Sequence, residues 1–175
     1  DAATEAFLAV LIREPLPESP QWLAYDRIGD SVNVRDVRDW SPVMYFRGPF
    51  FTWLQVNTAS PTDAIIRLVD FATNRWLESQ ERPPDEIAIE VDNVTRLFRG
   101  GLKVWSWHRD WPGTNHAVAS ALMALDRWVY DHSEEPERCR PVIDRLLVGP
   151  ESVAFLGVLC SVGKHRPDYF REQLS

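Results

Sequence analysis

The densest set of side chains able to do chemistry is Trp105-Ser106-Trp107-His108-Arg109-Asp110-Trp111, with Asn115 and His116 close behind. His108, Asp110 and His116 are two imidazoles and a carboxylate, the usual materials of a metal site or of proton transfer near neutral pH. Their spacing matches no standard zinc helix, so a structural reading competes with the chemical one. It puts Trp105 and Trp107 on one side of a strand, leaves His108 to Asp110 in solvent and places His116 in the first turn of a helix. A third reading is a binding surface. Tryptophan and arginine are common interface anchors, and three tryptophans so close together exceed what one core asks of one loop. The candidate interaction residues are therefore Trp105, Trp107, His108, Arg109, Asp110, Trp111 and His116. No catalytic, cofactor-binding or metal-ligating residue is assigned.

Other constellations are weaker. Gly157 and Gly163-Lys164 resemble a phosphate-binding loop, but one residue too many separates the glycines and His165 stands where a Ser or Thr should hold magnesium. Helix C-terminal capping by Gly163, Lys164 and His165 explains them better, so nucleotide binding is not expected within this segment. Gly-x-Ser-x-Gly and Gly-x-Gly-x-x-Gly turns are missing from the sequence. Asp85, Glu86, Glu90 and Asp92, beside Glu78 and Glu81, read as the wet side of a hairpin, because a glycosidase pair needs two acids facing each other across a cleft. Arg96, Arg99, Lys103 and Arg109 form a local basic strip that nearby acids can pair.

The whole chain limits its partners. It has 175 residues, 45% of them hydrophobic and 26% charged, which is ordinary globular composition. Against 26 Asp and Glu stand 19 Lys and Arg, a net charge of -7, so non-specific nucleic-acid binding is disfavoured. Two cysteines, Cys139 and Cys160, make no framework of bridges and suit a reducing cytoplasm. The longest apolar run, residues 153–160, is far shorter than the roughly 20 residues of a membrane span.

The elements that must position these groups are mostly helices. Residues 2–12 carry Phe7, Leu8, Leu11 and Ile12 along one stripe, and the prolines at 15, 17 and 20 end that helix. Residues 48–57 predict a short aromatic-rich helix acting as a core plug. Ser60 as N-cap with Pro61 at the first helical position starts a longer helix to about residue 80, with Ile65, Leu68, Val69, Ala72 and Trp76 in register. After Pro83-Pro84 the period changes to two: Ile87, Ile89 and Val91 alternate with polar neighbours and Asp92-Asn93 supplies a turn. Residues 94–98 and 102–107 offer further strands, so a small antiparallel β-hairpin insert is expected over 86–107.

Helices then follow over residues 116–132, 137–147 and 152–163, with a last one opening at Pro167-Asp168. Short Pro/Gly turns join them. The expected class is mainly α, with antiparallel helical hairpins stacked in an irregular array or bundle. Asp1 and Ser175 both lie in helical text, which reads as one helical domain, residues 1–175, cut from a longer chain.

The run from Trp105 to Arg109, residues 115–130, residues 152–164 and Pro167 to Phe170 resemble helical segments of large bacterial multidomain proteins. Those proteins carry an NTPase module of the signal-transduction (STAND) type, related in organisation to NLR immune sensors. The resemblance implies a non-catalytic scaffold, sensor or interaction region in a cytoplasmic protein of signalling or defence. Its partners would be other domains of the same polypeptide or another protein, with no membrane, no cofactor and no NTPase residue carried over. The rival class is a fragment of an α/α-barrel enzyme acting on a glycan or isoprenoid in an aromatic pocket lined by His and Asp. A pocket shared by Trp105, Trp107 and Trp111 with convergent His108 and Asp110 favours it; a solid core disfavours it.

Overall fold

The structure, a computed structural model, describes residues 2–12, 42–81, 85–109 and 114–171. These hold seven α-helices and one β-hairpin, so the chain is mainly α as its periodicity predicts. The prolines at 15, 17 and 20, Asp110, Trp111 and the strand-breaking Pro83-Pro84 lie outside the described residues.

Helix α1 (Ala2–Leu11) buries Leu8 and Leu11 and sets Phe7 edge-on against Phe50, ring centroids 5.5 Å apart. Phe50 opens α2 (Phe50–Val56), which plugs the core with Phe50 and Leu54. The long α3 (Ala59–Glu78) buries Ile65, Leu68, Val69 and Ala72 on its inner stripe. Its start corrects the expected cap. Ser60 is already inside the helix, and Asn57 Oδ1 accepts from the Ala59 and Ser60 amides at 2.9 and 3.4 Å. Pro61 is tolerated at the third position because the first four helical amides have no intrahelical acceptor anyway.

The hairpin pairs β1 (Glu86–Val91) with β2 (Val94–Arg99) in antiparallel register, Ile87 opposite Phe98 and Val91 opposite Val94. Asp92 and Asn93 both take positive φ, 51° and 60°, the requirement of a two-residue hairpin turn whose twist matches its strands. The expected strand over 102–107 is overturned. Residues Leu102–Trp105 form the one-turn α4 and Ser106–Arg109 a 3-10 turn. The competing hydrogen bonds are visible. Arg99 N donates to Glu151 O and Val153 N donates to Arg99 O at 2.9 Å, so the end of β2 pairs with the segment before α7 instead. Trp105 N meanwhile closes a helical turn on Gly101 O at 3.0 Å, and Ser106 Oγ bonds Lys103 O at 2.7 Å.

Helix α5 (His116–Asp131) is the centre, packed by α2, α3, α7 and the 3-10 turn. Asn115 caps it, Oδ1 accepting from Ala117 N and Val118 N at 3.0 and 3.3 Å. Ala117, Ala119, Ala121 and Ala124 are all fully buried, because small side chains let neighbours approach on several faces. Helices α6 (Pro136–Val148) and α7 (Ala154–His165) follow, and a 3-10 turn (Pro167–Phe170) folds back so that Tyr169 Oη donates to Ser133 O at 2.8 Å. Helix α3 is stitched to the α7 approach by Asp70, which accepts from Ser152 N at 2.9 Å and Glu151 N at 3.1 Å, and by a 2.7 Å bond between the Thr73 and Ser152 hydroxyls.

Candidate binding groove

The sequence concentrates its chemistry between Trp105 and His116, and the fold splits that set apart. Trp107 is 3% exposed and belongs to the core, so it offers no surface to a partner. His108 is 5% exposed, not in solvent as its flanking charges suggest. The 3-10 turn aims its ring inward at α7, where Gly157 leaves room for it: a Cβ at 157 would lie 2.5 Å from His108 Cε1 and 3.0 Å from Cγ, and closer still to Nδ1. Both ring nitrogens are engaged. Nδ1 lies 2.6 Å from Trp105 O and therefore carries the proton, while Nε2 accepts from Arg109 Nε at 3.0 Å. Burial holds the imidazole below its ordinary pKa despite the Trp105 carbonyl, and the Arg109 cation pushes the same way.

Arg109 is exposed and its guanidinium lies over the Trp105 ring, 5.4 Å from the centroid. His116 opens α5 half-buried. Asp110 and Trp111 lie outside the described residues, and with Asp110 the grouping of His108, Asp110 and His116 does too. Among the described residues no three His, Cys, Asp or Glu side chains are placed to share a metal ion.

The other polar cluster was not singled out by sequence. Burial raises the carboxyl of Asp126 on α5 above its ordinary value, opposed by the Ser161 hydroxyl of α7 and by the charges of His108, Arg109 and His165. A hydroxyl, a carboxylate and an imidazole thus share one neighbourhood. Nucleophilic catalysis needs the imidazole between the other two, and here both His108 nitrogens serve Trp105 and Arg109 instead. His108 is therefore not the base of such an arrangement; its two bonds tie the 3-10 turn down instead.

What the fold builds nearby is an apolar groove of about 700 Å³. Its floor lies on α7, where Leu156, Leu159, Cys160 and Gly163 recur at i, i+3, i+4 and i+7, the two leucines buried in the core and Cys160 exposed. One wall is β1, whose alternation brings Ile87 and Ile89 to the face that also carries the core residue Val91. Trp105, Leu147, Pro167 and Phe170 complete the apolar part of the described lining. Lys164 is the charged residue of the described lining and Cys160 its exposed thiol. The volume lies within the roughly 300–1,000 Å³ range of ligand sites, yet the described lining has few groups able to orient a small polar substrate. Of the sequence candidates among the described residues, Trp105 alone lines it. Ile87 and Ile89 were legible as strand alternation and residues 156–163 as helix text, but nothing in one sequence places those two patterns side by side.

No family model matches the chain, and a search of curated proteins finds no relative. No helix among the described residues is long and apolar enough to cross a membrane.

Proposed function

We propose that this chain is a non-catalytic helical scaffold, sensor or interaction module, working in the cytoplasm within a large bacterial multidomain protein of the signal-transduction NTPase kind. Its working surface is the groove between β1 and α7. The observation that carries the reading is the contrast between that groove and the polar cluster beside it. The apolar surface is left open to an occupant, while the groups able to move protons are buried and engaged with one another. A concavity of this volume, lined mainly by apolar side chains, has the size and character of a binding site. The free thiols Cys139 and Cys160 accord with a reducing compartment.

The enzyme reading, an α/α-barrel fragment acting on a glycan or isoprenoid, needs His and Asp converging on an aromatic pocket. Trp105 and Phe170 supply aromatic surface, but the described lining brings Lys164 and Cys160 in place of an acid–base pair. The test is made in source cells with an antibody raised against this chain. The expected result is a band far above the chain's own mass, with Cys160 in that native polypeptide alkylated much more slowly than in the isolated chain. A band at the chain's own mass, with Cys160 equally reactive in both, sinks the module reading.

A further inference from the structure

The outer edge of the β-hairpin is a second surface, independent of what fills the groove, and we infer that it takes an extended, basic segment of a protein partner, added antiparallel beside β1. The turn fixes which main-chain groups the edge offers. Asp92 and Asn93, both at positive φ, close a two-residue loop, so Val91 and Val94 exchange hydrogen bonds and every second pair from there does the same. Ile89 and Ile87 therefore spend their N–H and C=O groups on β2, whereas Glu86, Ala88 and Glu90 turn theirs away from it. Arg99, opposite Glu86, shows the same alternation from the other side. Its main chain bonds Glu151 and Val153 instead of β1, while Gly100 N, one step on, donates back to Asp85 O at 3.0 Å. The outward groups of β2 are thus taken up at Arg99; among the described residues the sheet stops at β1 on its other side.

Open edges are ordinarily blunted by proline, a bulge or charge. Strand β1 has no proline and its register is unbroken, which leaves Glu86 and Glu90. Both are exposed, with exposed Ala88 between them on the same face. Across the hairpin they meet Arg99, whose guanidinium is paired with Glu151, and uncharged Thr95, so neither has an unclaimed cation opposite. These two acids decide the occupant. A second copy laid antiparallel about Ala88 sets Glu86 against Glu90 twice, and one laid parallel in register sets each against itself; like charges directly opposite are destabilising in both. A foreign strand with lysine or arginine at those two positions gains two opposite-charge pairs instead, and the net charge of -7 adds to the attraction. Its intervening residues fall on the face of Ile87 and Ile89, where β-branched apolar side chains suit a strand. Two basic residues four positions apart, with alternating apolar ones between, are the complement of this edge.

The test uses the whole chain and fluorescein-labelled peptides of about seven residues, Thr-Lys-Val-Thr-Val-Lys-Thr and its version with glutamate for both lysines, read by fluorescence anisotropy. The lysine peptide is expected to bind about tenfold more tightly than the glutamate peptide, from two cross-strand charge pairs, and the double variant Glu86→Lys/Glu90→Lys should reverse that order. Main-chain pairing is tested separately. In the antiparallel complex the two lysines and the central threonine direct their N–H groups at β1, so N-methylating those three should weaken binding at least about tenfold, whereas N-methylating the two valines should leave it within about twofold. Ala88→Pro removes an outward donor that the hairpin does not use, a change that edge strands tolerate, and should lose the peptide while keeping the urea midpoint of wild type.

If both methylated forms of the lysine peptide bind alike, the contact is charge alone and strand addition is overturned. If the glutamate peptide binds wild type as tightly as the lysine peptide, the basic partner is overturned. If wild type sediments as a dimer that Ala88→Pro dissociates, the edge is an interface between copies and the foreign strand is overturned. If no peptide binds at about 1 mM, the edge is closed to partners and the inference falls, with the groove untouched by that result.

Discussion

Replacing Gly157 by alanine tests whether the His108 turn is locked against α7 as the geometry requires. In a solvent-exposed helix the change would stabilise by about 1 kcal/mol, since glycine is the poorer helix former by that amount. Here the new methyl would stand 2.5 Å from His108 Cε1 and 3.0 Å from Cγ, far inside van der Waals contact. The ring cannot swing away freely, because Nδ1 is tied to Trp105 O at 2.6 Å and Nε2 to Arg109 at 3.0 Å. Overpacking of this kind costs about 1–3 kcal/mol. Breaking the buried Trp105 bond costs a further 1–3 kcal/mol, about the value of an unsatisfied buried acceptor.

Subtracting the helix gain leaves a net destabilisation of about 3 kcal/mol, within a range of about 1–5 kcal/mol. For a chain of this size that lowers Tm by roughly 6–12 °C. Urea unfolding of wild type, Gly157→Ala, His108→Ala and the double variant gives the assay. In the His108→Ala background the methyl has no ring to strike, so Gly157→Ala should become neutral or stabilising, a coupling of about 2 kcal/mol or more. Gly163→Ala is the internal control. Its Cβ would meet Phe170 at an ordinary 3.4 Å, so it should stabilise by up to about 1 kcal/mol. A Gly157→Ala variant as stable as wild type, or a double variant that is simply additive, would refute the locked-turn argument.

Two further outcomes follow from burial. The Asp70 carboxyl is pushed up to about 6, burial outweighing the two backbone amides that hold it. A raised folded pKa means that the folded chain binds the extra proton, so Asp70 stabilises fully below its unfolded pKa of 3.8, and that contribution is lost as pH rises to about 6. Urea midpoints should therefore fall by the equivalent of roughly 3 kcal/mol across this window, and Asp70→Asn should remove that slope; an unchanged slope contradicts the assignment. Trp107→Ala, which empties a core site, should cost about 3–5 kcal/mol by thermal melting, and a loss below 1 kcal/mol would return Trp107 to the list of surface residues.

The elements were legible where a short-range rule governs them. The stripe of α3 and the Asp92-Asn93 turn each depend on residues within a few positions of one another. Residues 102–107 were misread because Val104, Trp105 and Trp107 have strand propensity, and propensity yields to tertiary context. The edge of β2 was already taken by residues 151–153, some fifty positions later. The candidate site suffered in the same way. A Trp-rich, charged stretch looked like a surface, yet Trp107 and His108 point inward and Arg109 outward, because a 3-10 turn distributes successive side chains around its axis.

By itself the sequence determined that this chain is mainly helical, where most helices begin and end, that one hairpin interrupts them, and that its net charge is -7. Each of those is set by local backbone preference, by period, or by a sum over residues. Only the tertiary structure decided that His108 is sealed beneath Gly157, that Asp70 clamps the approach to α7, and that Ile87 and Leu159 face one groove. Those outcomes depend on which apolar faces meet: α7 is buried from Ala154 to Leu159, and Cys160, its first exposed residue, lines the groove.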